Sequence, residues 1–322
     1  MNKYQKRIQR QILLNERAIL KELESIYEQA LNDIMAQITL LQARTDTNNL
    51  QSIIYQVEYQ KALQSQIETI LDQLHNNEFN SISEYLTKCY QEGWIGTLYD
   101  LQNQGIPLIF PIDQEQIVKA IQLNTKLSKN LYDSLGLDVK DLKKVIRTEI
   151  SRGISQSYSY QQMATLIKRA SGNSYANSVR IARTEGHRIT NEATYNVQVK
   201  AKSKGAQIMK EWDATLDGKT RPEHQYLDGQ LVEIDKPFKD SEGNEAMFPG
   251  GFGVPSLDIN CRCCMKQRAK WFIDKDKSFT KMNGETNEIV EFKNKEDYEE
   301  FKKEFWKWSN DEKWLMLNLQ RI

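Results

Sequence analysis

Leu13, Leu20, Tyr27, Ile34 and Leu41 recur every seven residues, and Ile12, Ile19, Leu23, Ile26, Ala30 and Ile38 fill the flanking positions. On a helix this pattern makes a wide apolar stripe over residues 4–43, about ten turns long. Such a helix is not stable in water by propensity alone and needs a partner along its length. The run Leu50–Leu74, with Ile53, Ile54, Val57, Leu63, Ile67, Ile70 and Leu71, supplies one within the chain through a turn at Thr45–Asn49. Contact with another subunit is the alternative use of the stripe, and internal packing is the expectation. His75 follows in a His-Asn-Asn turn and reads as a helix-end residue. Ser81-x-x-Glu84 is a capping box that opens a third helix through Tyr85, Leu86, Cys89, Trp94 and Leu98, ended by Gly105-Ile-Pro107.

Further along, Asp113 caps a helix to about Leu127, Gly136 marks a boundary, and a helix runs from Val139 to about Ser157. Ser159-x-x-Gln162 opens the next, Gly172-Asn173 breaks it, and Asn173 or Ser174 caps a long helix that Gly205 stops. On this last helix Arg180, Arg183 and His187 share one face, and Glu185, Arg188 and Glu192 form a second row. The second row suits either a polar site or an ion-pair network, and the network is the more economical reading.

The 322 residues carry equal numbers of acidic and basic side chains. The charges are unevenly spread: residues 138–210 hold 14 basic and 5 acidic side chains, against 9 and 13 in residues 1–110. The middle segment is therefore the candidate surface for a polyanion such as DNA, bound without sequence preference and weakened by salt. The plain alternative is a solvated helix face. Charges interrupt every apolar run well short of the ~18 residues of a membrane helix, and the basic start lacks the apolar core of a signal peptide. A cytosolic origin with reduced thiols is expected.

From Trp212 to Cys264 the character changes. Gln207–Trp212 and Gly229–Ile234 read as strands, separated by Asp-, Gly-, Thr- and Pro-rich turns, with a short helix over 221–227. Three of the four cysteines and one of the three histidines lie here. His224, Cys261 and Cys263 are candidate metal ligands, because thiolate and imidazole suit zinc; Cys264, Asp217 or His187 could supply a fourth. The alternative is that the cysteines pack a small core. A His187/His224 acid–base pair is a second candidate chemistry, but no Gly-rich phosphate loop, Ser-His-Asp set or HExxH pattern accompanies it. A third reading is architectural: a rigid knot of turns that serves as a docking surface. Beyond residue 270 the sequence suggests a hairpin over Phe279–Phe292 turning at Asn283-Gly284. A charged helix from about Lys295 to Trp308 and an aromatic cluster of Phe301, Phe305, Trp306, Trp308 and Trp314 follow.

The order Ala182-Arg183-Thr184-Glu185, Trp212, Asp217, Thr220-Arg221, His224, Asp228-Gly229-Gln230, Pro249, Pro255 and Asn260-Cys261-Arg262-Cys263 resembles the signature of the phage Mu F-like minor head proteins, also called phage head morphogenesis proteins. It covers roughly residues 180–268. The resemblance marks Arg183, Glu185, Trp212, Asp217, Arg221, His224, Asp228, Gly229, Asn260 and Arg262 as signature positions. It implies a non-enzymatic, low-copy minor capsid protein of a tailed phage or prophage. Such a protein associates with the portal and other head proteins, contacts packaged DNA, is capable of leaving with it, and resides in the head after assembly in the host cytoplasm. Because relatives of this family are sometimes fused to toxin domains, a toxin-like or nucleic-acid-acting enzyme is the alternative, and a zinc-stabilised adaptor a third. The expected fold is α+β: a helical region with a long hairpin (1–137), a basic helical segment (138–205), a small strand-and-loop domain (206–268), and a hairpin with helices (269–322).

Overall fold

The computed structural model describes residues 3–45, 53–112, 114–122, 135, 138–148, 160–215, 217–271, 279–282 and 289–292. The fold is α+β. Its elements are α1 (Lys3–Thr45), α2 (Ile53–Asn103), α3 (Gln114–Gln122), α4 (138–148), α5 (Tyr160–Ser203), β1 (Ile208–Asp213), α6 (Pro222–Leu227), β2 (Leu231–Glu233), β3 (Phe238–Lys239), β4 (Glu245–Ala246), α7 (Pro255–Asp258), β5 (Cys264–Ala269), β6 (Phe279–Met282) and β7 (Ile289–Phe292). The turn after Thr45, the Asp113 cap, Gly136, the chain from 149 to 159, the Asn283-Gly284 turn, the helix from Lys295 and the aromatic cluster lie outside the described residues.

The chain packs as two units. One comprises Glu16–Leu86 and Ile121–Arg183, the other Met1–Asn15, Thr87–Ala120 and Thr184–Ile322. In the first, Tyr27, Ala30 and Ile34 of α1 meet Ile67, Leu71 and Leu74 of α2, Val139, Leu142 and Ile146 of α4, and Ile167 of α5. The internal partner of the stripe is thus α2. The buried row is rotated from the expected centre: Ile19, Leu23, Tyr27, Ala30 and Ile34 are covered, while Leu20 lies at its edge.

Two expected breaks are absent. Helix α2 runs 51 residues without interruption, so His75 is a buried mid-helix residue and Ser81 is not a cap. No Gly or Pro occurs between Leu74 and Glu84. The weak helix propensity of His75-Asn76-Asn77 is overridden by burial of Glu78, Ser81 and Ile82 on the inner face. Likewise α5 passes through Gly172-Asn173. A single helical glycine costs only about 1 kcal/mol, and Ser174 and Ser178 are anchored inside the bundle.

In the second unit, β1 is the centre of an antiparallel sheet ordered β2-β1-β5, with Trp212 opposite Met265 and Asp213 opposite Cys264. Alternation sends Trp212 and Met265 into an apolar core with Ala214, Leu227, Phe238, Phe252, Leu257, Cys261 and Cys263. It directs Glu211 and Asp213 toward Arg268 and Lys266, with which they form buried ion pairs at 2.5 Å. Close approach of α2 to α5 depends on Gly93, where a Cβ would lie 2.4 Å from the Thr190 carbonyl oxygen. Asp100 of α2 accepts hydrogen bonds from Gln5, Gln104 and Gln267, joining α1 and β5 to α2. The C-terminal hairpin appears as the β6–β7 pair, Phe279 opposite Phe292. Strand β5 was not legible in advance: its sequence, Cys-Met-Lys-Gln-Arg-Ala, lacks apolar–polar alternation because both faces are covered.

Candidate metal centre

Pro at the first helical turn and Glu223 beside it start α6 after Arg221. The six-residue helix buries two side chains, His224 and Leu227. Its imidazole stacks on Phe252, with ring centroids 6.3 Å apart, and meets the edge of Trp212 at 5.7 Å. His224 Nδ1 lies 3.3 Å from Cys263 Sγ and 3.8 Å from Cys261 Sγ. The other ring nitrogen, Nε2, is buried and without a hydrogen-bond partner.

Among the described residues, His224, Cys261 and Cys263 are brought together, their ligand atoms within 4.8 Å of one another. The three expected fourth ligands lie elsewhere. Asp217 is held by Arg262, Cys264 Sγ hydrogen-bonds Gln9 Oε1 at 3.2 Å, and His187 lines a small cavity with Gln9, Asn191 and Lys266. The thiols differ in acidity. The hydrogen bond from Cys263, with His224 beside it, holds Cys261 well below the usual thiol range; burial pushes Cys263 well above it. Burial also pushes Cys264 up to about 12. One sulfur of the pair is thus favoured as thiolate against a buried thiol partner.

A tetrahedral zinc, with bonds of about 2.3 Å to sulfur and about 2.0 Å to nitrogen, separates the two atom types by about 3.6 Å. The observed 3.3 and 3.8 Å fall on either side of that value. The donor set therefore fits a borderline-soft ion in chemistry and spacing.

The other signature residues hold loops. Asp217, buried, accepts a paired contact from Arg262 and bonds from Thr220 Oγ1 and the Lys219 amide at 3.0 Å. Asp228 accepts the Ala214 amide at 2.8 Å. Gly229, at φ +78°, donates its amide to Trp212 O at 2.8 Å, a left-handed position that glycine fills without strain. The Arg221 guanidinium donates to the Leu257 and Ile259 carbonyls at 3.2 and 2.5 Å, tying the start of α6 to the chain before the cysteines. Asn260 takes φ +56°, and its amide donates to Thr184 Oγ1 at 3.0 Å. Glu185 and Glu192 flank Arg188 at 2.6 Å each, and Arg188 also donates to Ala120 O at 2.9 Å: a buried ion-pair network. Arg183 pairs with Glu16 at 2.9 Å within the other unit.

Two anchors escaped the sequence. Asp258 receives the amides of Phe252, Gly253 and Val254, at 3.3, 2.6 and 3.3 Å, and thereby closes the Gly-rich turn onto α7. Asn191 of α5 clamps the cysteine segment, donating to Cys263 O at 3.0 Å and accepting the Met265 amide at 2.8 Å. The signal for Asp258 was its place at the end of a Pro-started helical turn; Asn191 gave none beyond being polar on a mostly buried helix.

A family model described as Phage Mu protein F like protein matches residues 144–266, the span that contains this centre and its loops. The Minor head protein GP7 of Bacillus phage SPP1 is 25% identical over 249 residues, covering 76% of this chain and 80% of that protein. A protein of Enterococcus faecalis (strain ATCC 700802 / V583) named NAD(+)--arginine ADP-ribosyltransferase EFV is 30% identical over 307 residues, covering 92% of this chain. This chain spans only 60% of that relative's length. No solved structure matches the chain. Residues 144–266, where the strands, turns, histidine and cysteines are organised, thus match the Phage Mu protein F like family, and the chain is similar over most of its length to a phage minor head protein.

Proposed function

We propose that this protein is a low-copy minor capsid protein of a tailed bacteriophage or prophage, bound at the portal with other head proteins and acting in head assembly. One observation carries the reading: the signature residues of the loop region are spent on holding loops. Asp217 and Asp228 have their carboxylates occupied by an arginine or by backbone amides, and Arg221 is committed to carbonyls. A rigid, polar, loop-built surface suits protein docking. The protein then works in the host cytoplasm during assembly and in the virion interior afterwards. The basic segment over 138–210 contacts packaged DNA through phosphates, and the protein leaves the head with the DNA. We further propose zinc as the ion of the His224, Cys261 and Cys263 group.

Quantitative mass spectrometry of purified particles, with the portal protein as internal count, tests the reading. A few copies per portal ring are expected; absence from intact particles refutes virion residence. The enterococcal relative's name favours one second reading, an enzyme that transfers ADP-ribose to arginine. Incubation with labelled NAD and arginine-bearing protein, wild type beside His224→Ala, separates the two: no label transfer is expected.

A further inference from the structure

Resting on the zinc reading above, we infer that the ion is a folding staple: its binding to His224, Cys261 and Cys263 orders α6 and the segment from Phe252 to Cys263. The regular elements between β1 and β5 are six, three, two, two and four residues long. None is long enough to hold its shape alone. Neither Arg221 nor Val254, the residues that precede α6 and α7, caps its helix with its own side chain. Helix α6 reaches the core through His224 and Leu227 alone, and His224 carries a buried Nε2 with no partner. An imidazole left so poorly satisfied is an expensive anchor unless its other nitrogen gains more than a thiol contact. A metal bond supplies that gain, and it joins positions 37 and 39 residues apart in the chain. Small loop-rich regions are commonly completed by such staples.

Charge selects the ion class. Two thiolates and a neutral imidazole around a divalent ion sum to zero, which a site with all three residues buried can hold. A monovalent soft ion on the same set would leave a buried net negative charge. The adjacent Arg262 is already neutralised by Asp217. The inferred ligand is therefore a single divalent ion of the zinc class.

The test uses the full chain. Metal content is measured first; one zinc per chain is expected, and wild type without metal overturns both the zinc reading and the staple. Hydrogen exchange is then followed before and after a strong chelator, and again after zinc is restored. Peptides covering 217–230 and 252–263 should exchange on the order of tenfold faster without the ion and recover with it. A peptide covering 67–86, in the other unit, should stay protected and so report that the rest of the chain remains folded. If zinc is present and its removal leaves 217–230 and 252–263 unchanged, the staple is overturned while the zinc reading stands. Cys263→Ser should lose the ion and the protection together. His224→Gln, which removes the ligating nitrogen, should likewise lose both; protection in a metal-free Cys263→Ser chain equal to wild type refutes the inference.

Discussion

Glu78 should make the helical unit formed by Glu16–Leu86 and Ile121–Arg183 less stable as pH rises through neutrality. Its carboxyl is fully buried where α1, α2 and α5 meet. Tyr27 Oη lies 3.2 Å from Glu78 Oε1, 3.0 Å from Ser174 Oγ and 2.9 Å from Ser178 Oγ, and Ser178 also donates to Glu78. Glu78 Oε2 has no partner. Burial raises the carboxyl from an ordinary 4.5 to about 7 against the downward pull of Ser178 and Tyr27, with Asp138 adding to the rise. A folded-state value above the unfolded one means that the folded chain binds the extra proton. The stabilising contribution is complete below pH 4.5 and is lost as pH climbs through 7. The difference of about 2.5 units, at 1.36 kcal/mol each, gives about 3 kcal/mol between acid and mildly alkaline solution. Glu78→Gln removes the ionisation and keeps the shape. Urea unfolding of both proteins from about pH 4 to about pH 8, followed by helical circular dichroism, should show the variant gaining on wild type by about 3 kcal/mol across that range. Hydrogen exchange in 67–86 localises the effect. A difference between the two proteins that does not change with pH refutes the reasoning, because an amide's own cost is the same at every pH.

Other perturbations follow from the geometry. Gly93→Ala forces a methyl against the Thr190 carbonyl oxygen and should cost about 2 kcal/mol or more in thermal or urea unfolding. Arg262→Ala strips the buried Asp217 carboxylate of its cation and should cost about 3 kcal/mol; adding Asp217→Asn should recover much of that in a double-mutant cycle. Lys210, buried over the Tyr195 and Phe238 rings with its ammonium donating to Met247 O, is lowered by burial from 10.5 to about 8. The unfolded chain holds that proton more tightly, so stability should rise as pH goes from 8 to 10.5, and Lys210→Met should abolish that rise in pH-stepped urea unfolding.

How much was legible follows from which physics each element obeys. The helical stripe could be read because burial on one face imposes a period on the sequence, and Tyr27, Ala30 and Ile34 are buried as that period requires. The breaks at His75-Asn76-Asn77 and Gly172-Asn173 were misread because local turn preference amounts to a few tenths to about 1 kcal/mol per residue. The Tyr27–Glu78–Ser174–Ser178 cluster, set by three helices, weighs more, and no local window contains it. Strand β5 was invisible for the opposite reason. With Lys266 and Arg268 paired to Asp213 and Glu211, both its faces are buried, and a strand covered on both faces has no alternation to read.

The centre was more legible than the fold around it, since ligand chemistry is a property of residue type, and Cys and His are scarce enough here to be noticed. Geometry narrowed the choice. Cys264 begins β5, and its side chain turns to Gln9 of α1, while Cys261 and Cys263 precede the strand and reach His224. Their convergence comes from Asn191 gripping Cys263 and Met265, from Arg221 gripping Leu257 and Ile259, and from the left-handed turn at Asn260. Each of those contacts links the cysteine segment to α5 or α6, so its shape depends on residues about 30 to 75 positions upstream, beyond any local reading. The same links account for what the signature residues do in the fold: Asp217 and Asp228 accept arginine or backbone donors and Arg221 donates to carbonyls, so these positions hold the shape of the loops around the cysteines.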